Sequence, residues 1–158
     1  MQAAGSANNS YMQFADGVLK YSGMGLLSGS EGRGTVESCL SDSEPFLDVN
    51  EKSAAIADKG GNDIIVFQED GLKGEIHTTL PIEKINVSEQ GIVGAILKND
   101  ASAKVMCYDT AGNVLVEHKT SLSGTGYPLD VSLSEDGEVM QVVYLYTGGE
   151  NYLKGSLL

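Results

Sequence analysis

The chain has 158 residues, with 22 Asp and Glu against 10 Lys and Arg, for a formal net charge of −12. A field of that sign repels phosphate backbones and anionic lipid, which argues against a nucleic-acid partner and against direct membrane attachment. Apolar residues make up 41% and the acidic ones are dispersed, so the chain is expected to bury a core as one domain rather than behave as a disordered acidic tail.

Taken in chain order, residues 1–9 carry no basic residue and no apolar stretch, so they read as a flexible N-terminus and not as a secretory signal. The longest apolar-plus-glycine run, 91–97, is far too short to span a bilayer. Residues 11–15, 18–21, 24–28 and 35–40 form a weak, glycine-loosened first unit (10–43), with the spacer 29–34 predicted as a turn. A second unit (44–82) holds Leu47-Asp48-Val49, then 54–57, 64–67 and 74–80, separated by turns such as Asp58-Lys59-Gly60-Gly61-Asn62. A third (83–127) repeats the order with Ile85-Asn86-Val87, 92–97, 104–108 and 113–122. Phe67 answers to Tyr108, Gly71 to Gly112 and Glu75 to Glu117. A fourth (128–158) begins with Leu129-Asp130-Val131 and continues through 139–146 toward a third strand.

On this reading Val49, Val87 and Val131 take equivalent places, 38 and 44 residues apart. That spacing is near the roughly 40–45 residues of a four-stranded propeller blade. β-branched and aromatic runs favour strand, and Asp-Gly and Gly-Gly-Asn supply hairpin turns. The fold class predicted is all-β: four-stranded antiparallel blade repeats forming a partial β-propeller of three to four blades. Closed propellers usually need four to eight blades. The alternatives are therefore a longer chain, a homodimer that completes the ring, or an open fan whose edge is covered; residues 11–15 are predicted to cover an unpaired edge, within the chain or from a partner.

Three stretches carry a resemblance: Ala57-Asp58-Lys59-Gly60-Gly61-Asn62, the segment 81–91, and Gly126-Tyr127-Pro128-Leu129-Asp130 with Ser134-Glu135-Asp136-Gly137. Together they resemble an uncharacterised bacterial propeller family, a domain of unknown function in Gram-positive anaerobes with WD40-like or quinoprotein-like repeats. The resemblance covers about residues 18–146. It implies a propeller outside the cell, anchored by an N-terminal helix that this chain lacks, and it brings no catalytic residue. The chain also departs from the family in its glycine-rich 29–34 stretch and in having no Trp.

The alternation of the first strands turns polar side chains toward the channel, which makes Asp48, Asn50, Asn86, Ser88, Asp130 and Ser132, with Ser134, the candidate ligand-binding residues. The two histidines, His77 and His118, fall late in outer strands. Glu117 and His118 point to opposite faces, so no acid–base dyad is expected there. No nucleophile elbow, zinc-protease or phosphate-loop motif is present. Cofactors are expected to be none. Calcium is the one to weigh, at Asp58, Asn62 and Asp63, at Asn99 and Asp100, at Asp109 with Asn113, or at Asp136; turn chemistry explains each without a metal. Cys39 and Cys107 fit no disulfide or metal spacing. The function that follows is a non-enzymatic binding or scaffold domain for a protein or small-molecule ligand, extracytoplasmic if the resemblance holds. A self-assembling half-propeller and a quinoprotein-like or hydrolytic propeller enzyme are the alternatives.

Overall fold

The structure, a computed structural model, describes residues 10–14, 17–22, 25–29, 45–100, 102–121, 124, 126–146 and 152–157. These form four antiparallel sheets, each built from strands consecutive in the chain, with no helix among the described residues. The first sheet joins β1 (Ser10–Phe14), β2 (Gly17–Ser22) and β3 (Gly25–Gly29). The second orders β4 (Pro45–Val49), β5 (Ser53–Asp58), β6 (Asp63–Gln68) and β7 (Gly71–His77). The third orders β8 (Ile82–Val87), β9 (Val93–Lys98), β10 (Ala103–Tyr108) and β11 (Val114–Thr120). The fourth orders β12 (Tyr127–Leu133), β13 (Met140–Tyr146) and β14 (Tyr152–Leu157).

The all-β blade repeat expected from the periodicity is what these sheets are. Ile82 and Tyr127, placed at the ends of their units by the sequence reading, instead open β8 and β12. The predicted strand 35–40, Cys39 and the tail 1–9 lie outside the described residues. One expectation is corrected: β1 pairs with β2, its own hairpin partner, so residues 11–14 do not cover the edge of another sheet within the chain.

Alternate residues of a strand face opposite sides, and in the second and third sheets both sides are buried. Ala55, Ala57, Ile64 and Val66 face forward onto Val87, Val93, Leu97 and Tyr108 of the third sheet. Ile56, Ile65 and Phe67 face backward and gather around Phe14 of the first. Ile96, Val105 and Cys107 of the third sheet face forward onto Val131, Met140 and Val142 of the fourth. The continuous apolar runs of β5, β6 and β9 are thus the signature of strands covered twice. Each fully buried Ile or Val in these layers contributes roughly 1.5–3 kcal/mol.

The repeat extends to irregularities. β6 and β10 both break register against their outer neighbours at Phe67 and Tyr108, the pair matched from sequence. β8 and β12 both bulge four residues before their last residue, at Glu83 and Leu129. These bulges fix the alignment of the first strands and correct it. Val49, Val87 and Leu133 each end their strand, followed by Asn50, Ser88 and Ser134, whose N–H groups close the next loop. The counterpart of Val87 is therefore Leu133 and not Val131. Leu133 follows Val87 by 46 residues where Val87 follows Val49 by 38, and the additional residues are spread over the loops 88–92, 109–113 and 121–126 and one further residue in β12.

The β10–β11 turn locks the third sheet to the second. The Asp109 carboxylate accepts from the Asn113 side-chain amide (2.8 Å) and from the N–H groups of Asn113 (2.8 Å) and Ala111 (2.9 Å), which shapes the turn; the Asn113 side chain first, then its N–H, hold the Asp109 carboxyl below its ordinary pKa. Gly112 takes φ +83°, the left-handed region that favours glycine, and lies against the backbone of Glu75 and Ile76.

Candidate polar cleft at the ends of the inner strands

Two inner strands, β4 and β8, each reach across to the next through one polar side chain. Asp48 in β4 accepts from the Val87 N–H (2.6 Å) and the Asn86 Nδ2 (3.0 Å). Asn86, in the same place on β8, accepts from the Leu133 N–H (2.7 Å) through Oδ1. The repeated clamp explains why these positions are polar in strands whose other face is apolar: each satisfies a backbone donor at the seam between sheets. Beyond the strand ends, Asn50 caps its own turn by accepting from the N–H groups of Lys52 and Ser53, and donates to the Val87 carbonyl (2.9 Å). The Glu89 carbonyl accepts from Ser53 Oγ (2.9 Å) and Gln68 Nε2 (3.2 Å), and the Glu89 N–H donates to the Glu135 carbonyl (3.0 Å).

These loops enclose a cleft of about 310 Å³ lined by Asp48, Asn50, Glu51, Asn86, Ser88, Glu89, Ser134 and Glu135 over a floor of Val49, Val87 and Leu133. Of the channel-facing residues picked from sequence, Asp48, Asn50, Asn86, Ser88 and Ser134 come together here. Asp130 and Ser132 do not line it. Asp130 lies two residues short of the clamp position and faces Lys84 (3.9 Å), and Ser132 occupies the clamp position of the last inner strand. The sequence reading missed Glu51, Glu89 and Glu135. Their signal was present: Val49-Asn50-Glu51, Val87-Ser88-Glu89 and Leu133-Ser134-Glu135 are one repeated tripeptide, an apolar residue, a small polar one and a glutamate.

The cleft is electronegative. Lys52 pairs with Glu89, and its pKa is held above the ordinary lysine value first by that hydrogen bond, then by the charge of Glu89, with Glu51 and Glu135 adding. The Asp48 carboxyl is pushed above its ordinary value, chiefly by burial, and the nearby charge of Asp130 acts the same way; its hydrogen bonds to Val87 and Asn86 oppose the shift. The folded chain therefore holds a proton on Asp48 more tightly than the unfolded chain does. The stabilisation tied to this proton is full below the ordinary carboxylate pKa and is lost as pH rises through the raised value. Asp48→Asn keeps an oxygen for the Val87 N–H and removes the titration. In urea melts between pH 3.5 and 7, its stability relative to the parent should improve as pH rises. A parent that gains on the variant with rising pH would show the opposite sign. Asp48→Ala, which strands the Val87 donor, should cost about 1–3 kcal/mol.

The remaining candidates lie elsewhere. His77 is exposed at the end of β7, with Nδ1 2.7 Å from Asp63. His118 meets Tyr144 edge to face while Glu117 pairs with Lys104, so the two adjacent residues do face opposite ways. Cys107 is buried between the third and fourth sheets, and burial pushes its thiol pKa up. Among the described residues no three His, Cys, Asp or Glu side chains converge as a metal site would require. The oxygens of Asn99, Asp109 and Asp136 accept from backbone N–H groups within their own turns.

Antiparallel sheets of consecutive strands, stacked face to face with polar inner strands side by side, are blades of a β-propeller, here a partial one. Solved WD40 propellers overlay on the chain. Kluyveromyces marxianus Hsv2 does so at 13% identity with a TM-score of 0.56, over 88% of this chain and 44% of that one. Kluyveromyces lactis Hsv2 matches at 12% with a TM-score of 0.55, over 88% and 46%. The Neurospora crassa Pan2 WD40 domain matches at 12% with a TM-score of 0.51, over 94% and 47%. At such identities the likeness is one of fold, and this chain spans about half the length of each. No curated protein matches the chain. Residues 1–155 match the family of unknown function DUF5711, and the chain belongs to that family.

Proposed function

We propose that this chain is a non-enzymatic binding or scaffold module, and that its ligand carries positive charge and docks over the cleft where the inner strands end. One observation carries the reading: three repeats each contribute a glutamate to the same rim, and among the described residues the cation held there, Lys52, already pairs with one of these. An exposed lysine tethered to a rim of carboxylates is a stand-in that a guanidinium or ammonium from a partner can displace. A net charge of −12 steers such a partner toward the surface. A lysine- or arginine-bearing peptide fits these requirements. Placement outside a bacterial cell, through a membrane anchor, rests on the sequence resemblance and belongs to the same proposal.

The test is a titration with penta-arginine, with penta-glutamate as control, followed by the backbone amide shifts of Val87, Glu89 and Ser134. Shifts at these three amides with penta-arginine alone are expected, weakened at least fivefold by the double substitution Glu51→Gln and Glu135→Gln. Movement only elsewhere, or equal affinity in the double variant, would sink the reading.

A further inference from the structure

We infer that Lys52 is a built-in gate of the cleft: its ammonium occupies Glu89, the anchor of the site, and an incoming cation binds by taking Glu89 from it. This rests on the cationic-ligand reading and adds how that site is anchored and regulated. The three rim glutamates are not equivalent. Glu51 and Glu135 are exposed, whereas the Glu89 side chain is only 17% exposed. The loop that carries Glu89 is pinned from two sides. Its N–H donates to the Glu135 carbonyl beside the fourth sheet (3.0 Å), and its carbonyl accepts from Ser53 Oγ (2.9 Å) and Gln68 Nε2 (3.2 Å) of the second. Gln68 Nε2 also donates to the buried Ser53 Oγ (3.1 Å), so the two donors hold each other in place. Glu89 is therefore a carboxylate presented by a fixed loop, which is what an anchor requires.

Lys52 has the opposite character. Its backbone is fixed, because Asn50 accepts the N–H groups of Lys52 and Ser53, but its side chain is 59% exposed and meets a single oxygen of Glu89, Oε2. The lysine can thus swing out about its own side-chain bonds without disturbing the turn. A carboxylate withdrawn from water calls for a cation, and Lys52 supplies one until another arrives.

The gate selects as well as blocks. A tethered group competes as though present at a concentration on the order of millimolar. A ligand with one positive charge gains no more from Glu89 than Lys52 does, and loses to it. A segment with several charges reaches Glu51 and Glu135 together with Glu89, and so prevails over a lysine that holds one carboxylate. The favoured ligand is therefore a multiply charged cationic segment.

The test is the penta-arginine titration, read at the Val87, Glu89 and Ser134 amides in a set of variants. Lys52→Gln should tighten binding about threefold. Lys52→Arg, whose guanidinium can hold both carboxylate oxygens, should weaken it about twofold. Glu89→Gln should weaken it about tenfold or more, and in that background Lys52→Gln should change nothing. This last comparison separates a gate from the bare loss of a positive charge, which would tighten binding in both backgrounds alike. Lys59→Gln removes a charge outside the cleft and should leave the affinity unchanged; it keeps the test informative if the Glu89 variants fail to fold, with circular dichroism as the check. Parent binding that Lys52→Gln does not tighten would overturn the gate and leave the cationic-ligand reading in place. So would tightening that persists beside Glu89→Gln or that Lys59→Gln reproduces. Absence of shifts at the three amides in both the parent and Lys52→Gln would sink the gate and the ligand reading together.

Discussion

Gly74→Ala is expected to destabilise the chain by about 3 kcal/mol or more, enough to abolish the cooperative transition of a marginally stable domain. A β-carbon at position 74 would lie 1.8 Å from the Thr110 carbonyl oxygen and 3.0 Å from its carbon. Both are backbone atoms, so no side chain can swing aside. Relief requires moving the β10–β11 turn away from β7, and that turn is the one pinned by Asp109 and seated on Glu75 and Ile76 through Gly112. The substitution thus loosens the seam between the second and third sheets. Gly60→Ala is the control. It sits at φ +75° with nothing within 4 Å, so its cost is the left-handed backbone alone, roughly 1–2 kcal/mol. Urea midpoints for the pair measure the difference. If both variants lose the same amount, the close approach of Thr110 to β7 is not a feature of the folded protein.

The fold was legible because its determinants are local. Each apolar run is bounded by turn residues, and each turn appears at the same offset in the next repeat. Phe67 and Tyr108 were matched on this pattern, and both turned out to mark the same bulge. The candidate cleft was legible only in part, and one error explains most of the loss. A slip of two residues leaves every side chain on its own face of a strand, so alternation is blind to it. Aligning Val131 with Val87 therefore looked sound, yet it brought Asp130 into the clamp place that belongs to Ser132. It also hid the third copy of the tripeptide ending in Glu135. The added length is spread over the loops 88–92, 109–113 and 121–126 and one residue of β12, where no periodicity exists to reveal it.

What the alternation could not convey at all is reach across sheets. Asn86 was chosen as a polar residue facing a channel, and its oxygen is instead committed to the Leu133 N–H. Ser88 accepts from the Ile92 N–H in its own loop. The polar inner positions thus serve first as seams between blades. The glutamates that follow Asn50, Ser88 and Ser134 carry the negative charge of the rim, and Glu89 already pairs with Lys52. This division of labour follows from backbone accounting: a strand edge facing another sheet must satisfy its N–H groups, whereas a loop at the rim is free to present carboxylates to solvent.

Phe67→Ala is expected to cost about 3–5 kcal/mol. The side chain is 1% exposed and is among the largest fully buried ones described. It faces backward from β6 and shares its layer with Ile56, Ile65 and Phe14, the residue that ties the first sheet to the second. Truncation removes the transfer energy of an aromatic ring and leaves a void between two β-sheets. Sheets stiffened by paired strands collapse poorly onto such a void, so the cost belongs in the upper half of the range. Phe67→Leu keeps most of the volume and should lose less than half as much. The substitution separates two roles for the first sheet. If β1–β3 is a blade like the others, Phe14→Ala should also be costly, and the double variant should lose less than the sum of the singles because both rings line one layer. Chemical denaturation of the four chains decides it. Strict additivity, or a Phe14→Ala variant as stable as the parent, would mean that the first sheet rests on the second without sharing its core.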